Sequence, residues 1–454
     1  MVTPIGSIKV KYKKEFIMRQ TRRFLLAVSL AAAITLSGCS LFGDSASDVT
    51  EKETAEKAIQ NTEADTASGQ DNTETESPDS WETQPVTETE KLQETNAPVQ
   101  ADSAREQAQH ILLGMTLEEK VGQMFLVTPE MIDMYTDGSV ISCNDSITEN
   151  IQKYHLGGIV LFEGNILNRT QTAEMIAEFQ SASDTGLFIG VDEEGGIVSR
   201  IGRNPEMDCT WFPNMREIGD TNDTSKAYEA GDTIGREIRE LGFNLDFAPV
   251  ADVATNPENT VIGDRAFSSD PQVAAAMVAQ EIYGLHNNNV ASSIKHFPGH
   301  GDTSTDSHTG FSATDQDLEG LRSTEFVPFK AGIGAGTDMV MVSHIAAPAV
   351  TGNNDPASLS FEMITGLLRD ELGYDGVVIT DSLQMGAITE YYTASEAVLA
   401  SLNAGADIFL MPAYLGESYN AVLNAVQDGS IPESRIDESV MRILQVKINR
   451  NILS

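Results

Sequence analysis

Three of the chain's 7 histidines fall in one run, Lys295-His-Phe-Pro-Gly-His-Gly-Asp-Thr-Ser-Thr-Asp-Ser-His308. The run holds one ammonium, Lys295, three imidazoles, His296, His300 and His308, and two carboxyls, Asp302 and Asp306. An imidazole titrating near neutral pH can donate a proton to a leaving group and later take one from water. A carboxylate two residues away in a loop can accept from one ring nitrogen, fix the tautomer and stabilise the imidazolium. Residues 290–294, β-branched at both ends, read as a strand, and Pro298, Gly299 and Gly301 stop regular structure after it. A strand end and a polar loop carrying cationic, acidic and titratable groups suit a polar substrate. Plainer readings compete: Asp306 can form an Asx turn, and any single His can be structural. His296 and His300, four apart, could bind zinc only on a helix, which Pro298 and Gly299 oppose.

The rest of the folded chain reads as the scaffold for that loop. Apolar runs at 121–127, 158–162, 187–191, 245–250, 291–294, 339–342, 376–379 and 406–411 are strand candidates. Several are continuous rather than alternating, as strands buried on both faces of a parallel sheet should be. Helical patterns fill 171–181, 225–241, 271–286, 361–372 and 394–403, and Thr116 with Glu119 makes a capping box ahead of residue 117. About eight strands alternating with helices over 104–454 predict an α/β fold, a (β/α)8 TIM-type barrel with insertions. An open doubly wound sheet is disfavoured, because no Gly-rich phosphate fingerprint follows the first strand. Charged groups then follow the strands in turn: Asp192, Glu193 and Glu194 the third, Asp246 and Asp252 the fourth, Lys295 and His296 the fifth, His344 the sixth, Asp381 the seventh. Barrel enzymes carry catalytic groups at these strand ends. A helix N-cap explains one or two of them, Asp381 included, but not the set.

These residues also carry a family resemblance. Lys295-His-Phe-Pro-Gly-His-Gly-Asp, Asp306-Ser-His308, Val191-Asp-Glu-Glu-Gly-Gly196 with Arg200, Ile262-Gly-Asp-Arg265-Ala-Phe and Val378-Ile-Thr-Asp381-Ser-Leu-Gln-Met385 resemble glycoside hydrolase family 3. The Asp306-Ser-His308 element is similar to its β-N-acetylglucosaminidase branch. The resemblance implies Asp381 as nucleophile, His308 as general acid/base and Asp306 as its partner. It implies Asp192, Arg200, Arg265, Lys295 and His296 as residues holding a terminal N-acetylglucosamine. It implies no cofactor and no metal. The expected reaction is retaining, exo-acting removal of that sugar from cell-wall fragments or chitin-type oligosaccharides. Asp-Ser stands where many members have Asp-Asp, and the expected form is the minimal, single-domain one without a second α/β domain after the barrel. Competing functions are a metal-dependent hydrolase using His296, His300 and Asp381, a non-catalytic sugar-binding protein, and a β-glucosidase or xylosidase of the same family.

Composition sets the location. The 454 residues carry a net charge of -39, which repels nucleic acid and anionic lipid and excludes a basic-patch function. Arg19, Arg22 and Arg23 precede an apolar run, 24–36, ending in Leu36-Ser-Gly-Cys39. This reads as a secretory leader, too short for a comfortable span, with a lipobox whose Cys39 becomes the lipidated first residue. Met18 is a natural start, so 1–17 can be upstream sequence. Residues 40–103, rich in Glu, Asp, Thr, Ser, Gln and Asn, bury too little apolar surface to order and read as an acidic tether. The expectation is a monomeric protein, lipid-anchored outside the cytoplasm of a bacterial cell. Cys143 and Cys209 leave a disulfide open.

Overall fold

The computed structural model describes residues 97–133, 136–303 and 312–453. Cys39, Asp306, His308 and most of the leader and tether lie outside them. Eight parallel strands form one sheet: β1 Phe125–Val127, β2 Gly158–Val160, β3 Phe188–Val191, β4 Leu245–Asp246, β5 Ala291–Phe297, β6 Met339–Val342, β7 Val377–Thr380 and β8 Phe409–Leu410. The strand order is β7-β6-β5-β4-β3-β2-β1-β8. β1 pairs with both β2 and β8, through Leu126↔Gly158 and Phe125↔Phe409. A parallel bridge between Ile379 and Ile408, with Thr380 N donating to Ile408 O at 3.0 Å, joins β7 to the run into β8 and closes the barrel.

Every residue of β3, β5, β6 and β7 is buried, which is why β3, β6 and β7 read as continuous apolar runs, while β5 also buries Ser292, Ser293, Lys295 and His296. Ten phenylalanines from Phe125 to Phe409 are essentially inaccessible. Each such burial stabilises the fold by about 1.5–3 kcal/mol. Helices Arg169–Ser181, Thr224–Glu240, Pro271–Asn287, Glu362–Glu371 and Ala394–Ala404 follow β2, β3, β4, β6 and β7. The Glu362–Glu371 segment is wound as a π-helix. The Thr116 box forms as expected: Glu119 N donates to Thr116 Oγ1 at 3.2 Å and Thr116 N to Glu119 Oε2 at 2.7 Å.

Three local readings need correction. Residues 121–123 end the helix Leu117–Gln123, and the first strand starts only at Phe125. The fourth ladder is only two residues long, Leu245–Asp246, and beyond it the chain keeps single contacts with the next strand, such as Ser293 N to Ala248 O at 3.0 Å and the Val250–Lys295 bridge. Helices Asp145–Tyr154, Phe326–Gly334 and Leu415–Gln427 were not anticipated. Cys143 and Cys209 are free thiols: Cys143 Sγ contacts Thr148 Oγ1, and Cys209 Sγ accepts from Arg169. Among the described residues no helix is long and apolar enough to cross a membrane.

Candidate active site

The C-terminal strand ends open into one cavity of about 500 Å³. Asp192, Arg200, Arg265, Lys295, His296 and Asp381 all line it, so six of the residues singled out from the sequence meet in one place. Where they come from explains the meeting. Asp192 follows β3, Lys295 and His296 lie within β5, and Asp381 follows β7 with its N–H donated to Val342 O of β6 at 2.9 Å.

The floor of the cavity is an ion network. Lys295 Nζ lies 2.7 Å from Asp192 Oδ1 and 2.6 Å from Glu194 Oε1. Arg265 grips the same Glu194 with two parallel bonds of 2.8 Å, from Nε and from its terminal nitrogen. The side chains of Lys295 and Glu194 are only 3 % and 2 % exposed, so neither charge has water to fall back on. Burial by itself would raise the Glu194 pKa, but Arg265 and Lys295 overcome it and hold the carboxylate well below its usual range. Burial likewise works against the Lys295 ammonium, and Asp192 and Glu194 more than offset it, leaving the pKa raised.

A second carboxylate orients the imidazole. Buried Asp252 accepts from His296 Nδ1 at 2.7 Å and from the backbone N–H groups of His296 and His300 at 3.2 and 2.7 Å. Burial pushes its pKa up, the His296 charge pulls it down, and the net direction is down. With Nδ1 committed, His296 turns Nε2 toward Arg265 at 3.4 Å. The two rings of His296 and His300 stand edge-on with centroids 6.0 Å apart, and His300 Nδ1 is 2.6 Å from Thr303 Oγ1. Among the described residues no group of three His, Cys, Asp or Glu side chains is placed to hold a metal ion.

Arg200 is delivered by a tight hairpin. Glu193, buried, accepts from Ser199 Oγ at 2.5 Å and from the N–H groups of Arg200, Ile201 and Gly202 at 2.7, 2.7 and 3.0 Å. Gly196, at φ 56°, lies against Asn214, where a Cβ would collide. Arg200 stands 6.0 Å over the Phe162 ring, and its Nε is buried with no partner among the described residues.

Asp381 is not a helix cap. The N-cap of the next helix, Gly386–Thr389, is Met385, while Asp381 Oδ1 accepts from Ser382 N at 2.7 Å. His344 braces the same turn. Its Nε2 donates to Ser382 O at 2.8 Å while Nδ1 meets Ser358 Oγ at 2.7 Å.

Sequence reasoning noted Glu194, Asp252 and His344 only as charged groups after strands and did not place them in the sugar-holding set. The available signal was charge balance. Two cations, Lys295 and Arg265, in one dry site need more than Asp192 to compensate them.

Comparison with known proteins agrees with this geometry. Residues 116–446 match the model of the glycosyl hydrolase family 3 N terminal domain. The chain belongs to glycosyl hydrolase family 3. Among its family relatives, Beta-hexosaminidase A of Pseudoalteromonas piscicida is 35% identical over 329 residues, which cover 66% of this chain and 54% of that protein. The chain therefore spans about half of that relative's length. Beta-hexosaminidase LpqI of Mycobacterium tuberculosis is 37% identical over 310 residues, 65% of this chain and 77% of that protein. A solved family 3 β-N-acetylglucosaminidase from Paenibacillus sp. str. FPU-7 superposes with a TM-score of 0.69 at 38% identity, covering 74% of this chain and 63% of that one.

Proposed function

We propose that the protein is a retaining exo-β-N-acetylglucosaminidase acting on cell-wall fragments or chitin-type oligosaccharides. The observation that carries the reading is the shared cavity: Asp381 lines the same wall as the Asp192–Lys295–Glu194–Arg265 network. That network offers fixed donors and acceptors to the hydroxyls of one sugar ring. The names of the relatives point to the same substrate class.

In this reading Asp381 attacks the anomeric carbon as the glycosidic C–O bond breaks, giving a glycosyl ester. His308, paired with Asp306, gives its proton to the departing oxygen. It then takes one from the water that hydrolyses the ester, so the enzyme returns to its starting state. Asp192, Arg200, Arg265, Lys295 and His296 hold the sugar. The seat of this chemistry is a barrel of residues 104–454, carried on an acidic tether of 40–103 and anchored outside the cytoplasm by lipidated Cys39. We take the working unit to be a monomer.

The test pairs two variants. Asp381→Ala should lose turnover and, with azide and an activated N-acetylglucosaminide, form the α-glycosyl azide. His308→Ala should cost far more on a disaccharide than on a dinitrophenyl glycoside, because a poor leaving group needs the proton. Near-normal turnover by Asp381→Ala without azide sinks the reading.

A further inference from the structure

Asp302 was singled out by sequence and is left unused by the site described above. Its carboxyl joins two stretches of chain on either side of 304–311: Oδ2 accepts from Thr314 Oγ1 at 2.5 Å. Residues 304–311, which include Asp306 and His308, run between these two partners.

Each partner is itself tied to a different rigid part of the barrel. On the first side, Asn256 of the segment after β4 takes Gly301 O with its backbone N–H at 3.2 Å. Its Nδ2 reaches Asp302 O and Thr303 O at 3.3 Å. Asn259 Nδ2 donates to His300 O at 2.7 Å. Gly301 meets the Val253 carbonyl so closely that no Cβ would fit. On the second side, Ser312–Ala313 pairs in parallel with Ile345–Ala346, just beyond β6, and Thr314 N donates to Ala346 O at 2.9 Å. The side-chain bond between Asp302 and Thr314 is thus a cross-link between the β4 side and the β6 side of the barrel mouth.

A buried support lies behind it. Gln316 N donates to Thr314 Oγ1 at 3.1 Å, and Gln316 Nε2 reaches Glu325 Oε1 at 3.3 Å. Glu325 is fully buried, close to Val253 N and pressed against Gly299, where a Cβ would collide with the Glu325 carboxyl. Burial, with Asp252 and Asp302 nearby, pushes the Glu325 carboxyl well above its usual range. The other oxygen of Asp302, Oδ1, is buried with no partner among the described residues. Nothing about Asp302 resembles a solvated loop carboxylate.

We propose that Asp302 is a positioning residue that, with Thr314, clasps the chain on both sides of 304–311 and so fixes the distance over which the acid/base pair is presented. This rests on the reading of Asp306 and His308 as that pair. A general acid must sit within hydrogen-bond reach of the leaving oxygen to act, and the clasp holds together the two points from which its stretch of chain departs. Losing the clasp should therefore weaken proton transfer selectively, not sugar binding.

The experiment uses the full chain and four variants, Asp302→Ala, Asp302→Asn, Thr314→Val and His308→Ala. Each is assayed on N,N′-diacetylchitobiose and on a dinitrophenyl N-acetylglucosaminide, with melting monitored in parallel. Asp302→Ala and Thr314→Val should each lower kcat on the disaccharide by about ten-fold more than on the aryl glycoside, a share of the about 10²–10⁴-fold that a general acid supplies. KM should move little. Asp302→Asn keeps an acceptor for the Thr314 hydroxyl and should recover most of the loss. The double variant Asp302→Ala/Thr314→Val should be no worse than the worse single one, because both remove one bond. Thr314→Val is nearly isosteric and keeps the test open if Asp302→Ala folds poorly. Equal losses on both substrates, or no loss, overturn the clasp while His308→Ala still shows the leaving-group pattern. If His308→Ala shows no such pattern, the acid/base reading and the clasp fall together.

Discussion

Glu194→Gln isolates the charge that holds the cavity floor together. Gln keeps the volume and one carbonyl acceptor but removes the anion that Lys295 contacts at 2.6 Å and Arg265 grips twice at 2.8 Å. Removing one partner of a buried ion pair costs about 3–5 kcal/mol, because the other charge stays behind uncompensated. Lys295 retains Asp192 at 2.7 Å, which places the loss near the low end, about 3 kcal/mol. That corresponds to roughly 4 °C in Tm for a domain of about 350 residues, at ~2.1 cal/mol/K of unfolding entropy per residue. Two donors that should address sugar hydroxyls also lose their anchor. At about 1.5–3 kcal/mol for a charged hydrogen bond, kcat/KM should drop on the order of 10- to 100-fold. The pH dependence gives a sharper check. The folded pKa of Glu194 is depressed below the unfolded value, about 4.3. Its contribution is therefore present above that value and is lost as pH falls toward the folded pKa. Urea melts of both proteins should differ fully at pH 6–7 and converge as pH drops below about 4. A difference under about 1 kcal/mol at pH 7, or one that stays constant into acid, would refute the charge-pair account.

Glu281 gives the opposite slope. Burial first, and then the Glu194 charge, push its carboxyl up to about 8, and both its oxygens lack partners among the described residues. Its folded pKa lies above the unfolded one, so stability is full below about 4.3 and declines as pH rises toward 8. Glu281→Gln should match the parent near pH 4 and exceed it increasingly toward pH 8 in urea melts; parallel curves for the two proteins would rule this out. Cys39→Ala should release the protein from membranes or stop its processing, as fractionation would show, because a cleaved leader alone does not anchor a protein. Normal processing with retained attachment would remove the lipid-anchor reading.

The barrel was legible because parallel strands must be apolar on both faces. Residues 188–191, 339–342 and 377–380 could hardly be anything but buried, and they are. The misreading at 121–127 has the same origin. Val121 and Met124 are buried apolar residues on a short helix and at its end, and a short apolar run does not reveal its period. The missed helix Asp145–Tyr154 shows the reverse difficulty. Only Ile147 and Ile151 of its residues are buried, too few for the pattern to stand out, although Asn144 caps it through Ile147 N. In the site, Asp192, Lys295, His296 and Asp381 were legible from type and strand position, and Arg200 and Arg265 only through the family resemblance. Partnerships were not: Glu194 and Arg265 lie 71 residues apart, His296 and Asp252 lie 44 apart, and only the closed barrel brings them to bonding distance.

The pairing pattern also decides what kind of ligand the cavity suits. Lys295, Arg265 and Arg200 at the end of a barrel could, by type alone, form a phosphate or carboxylate site. Two of the three are already answered. Glu194 takes both arms of Arg265, and Lys295 lies between Glu194 and Asp192. An incoming anion would have to compete with carboxylates that cannot leave, in a chain whose net charge is -39. A neutral polyol meets no such penalty. Its hydroxyls can donate to Asp192, which is 19 % exposed in its side chain, and accept from Lys295 and from the Arg200 guanidinium that lines the cavity. The carboxylates beneath the cations therefore do more than balance charge. They turn what would be an electrostatic anion trap into a set of directional hydrogen-bonding groups, and a sugar ring is the ligand class that uses such a set on several sides at once.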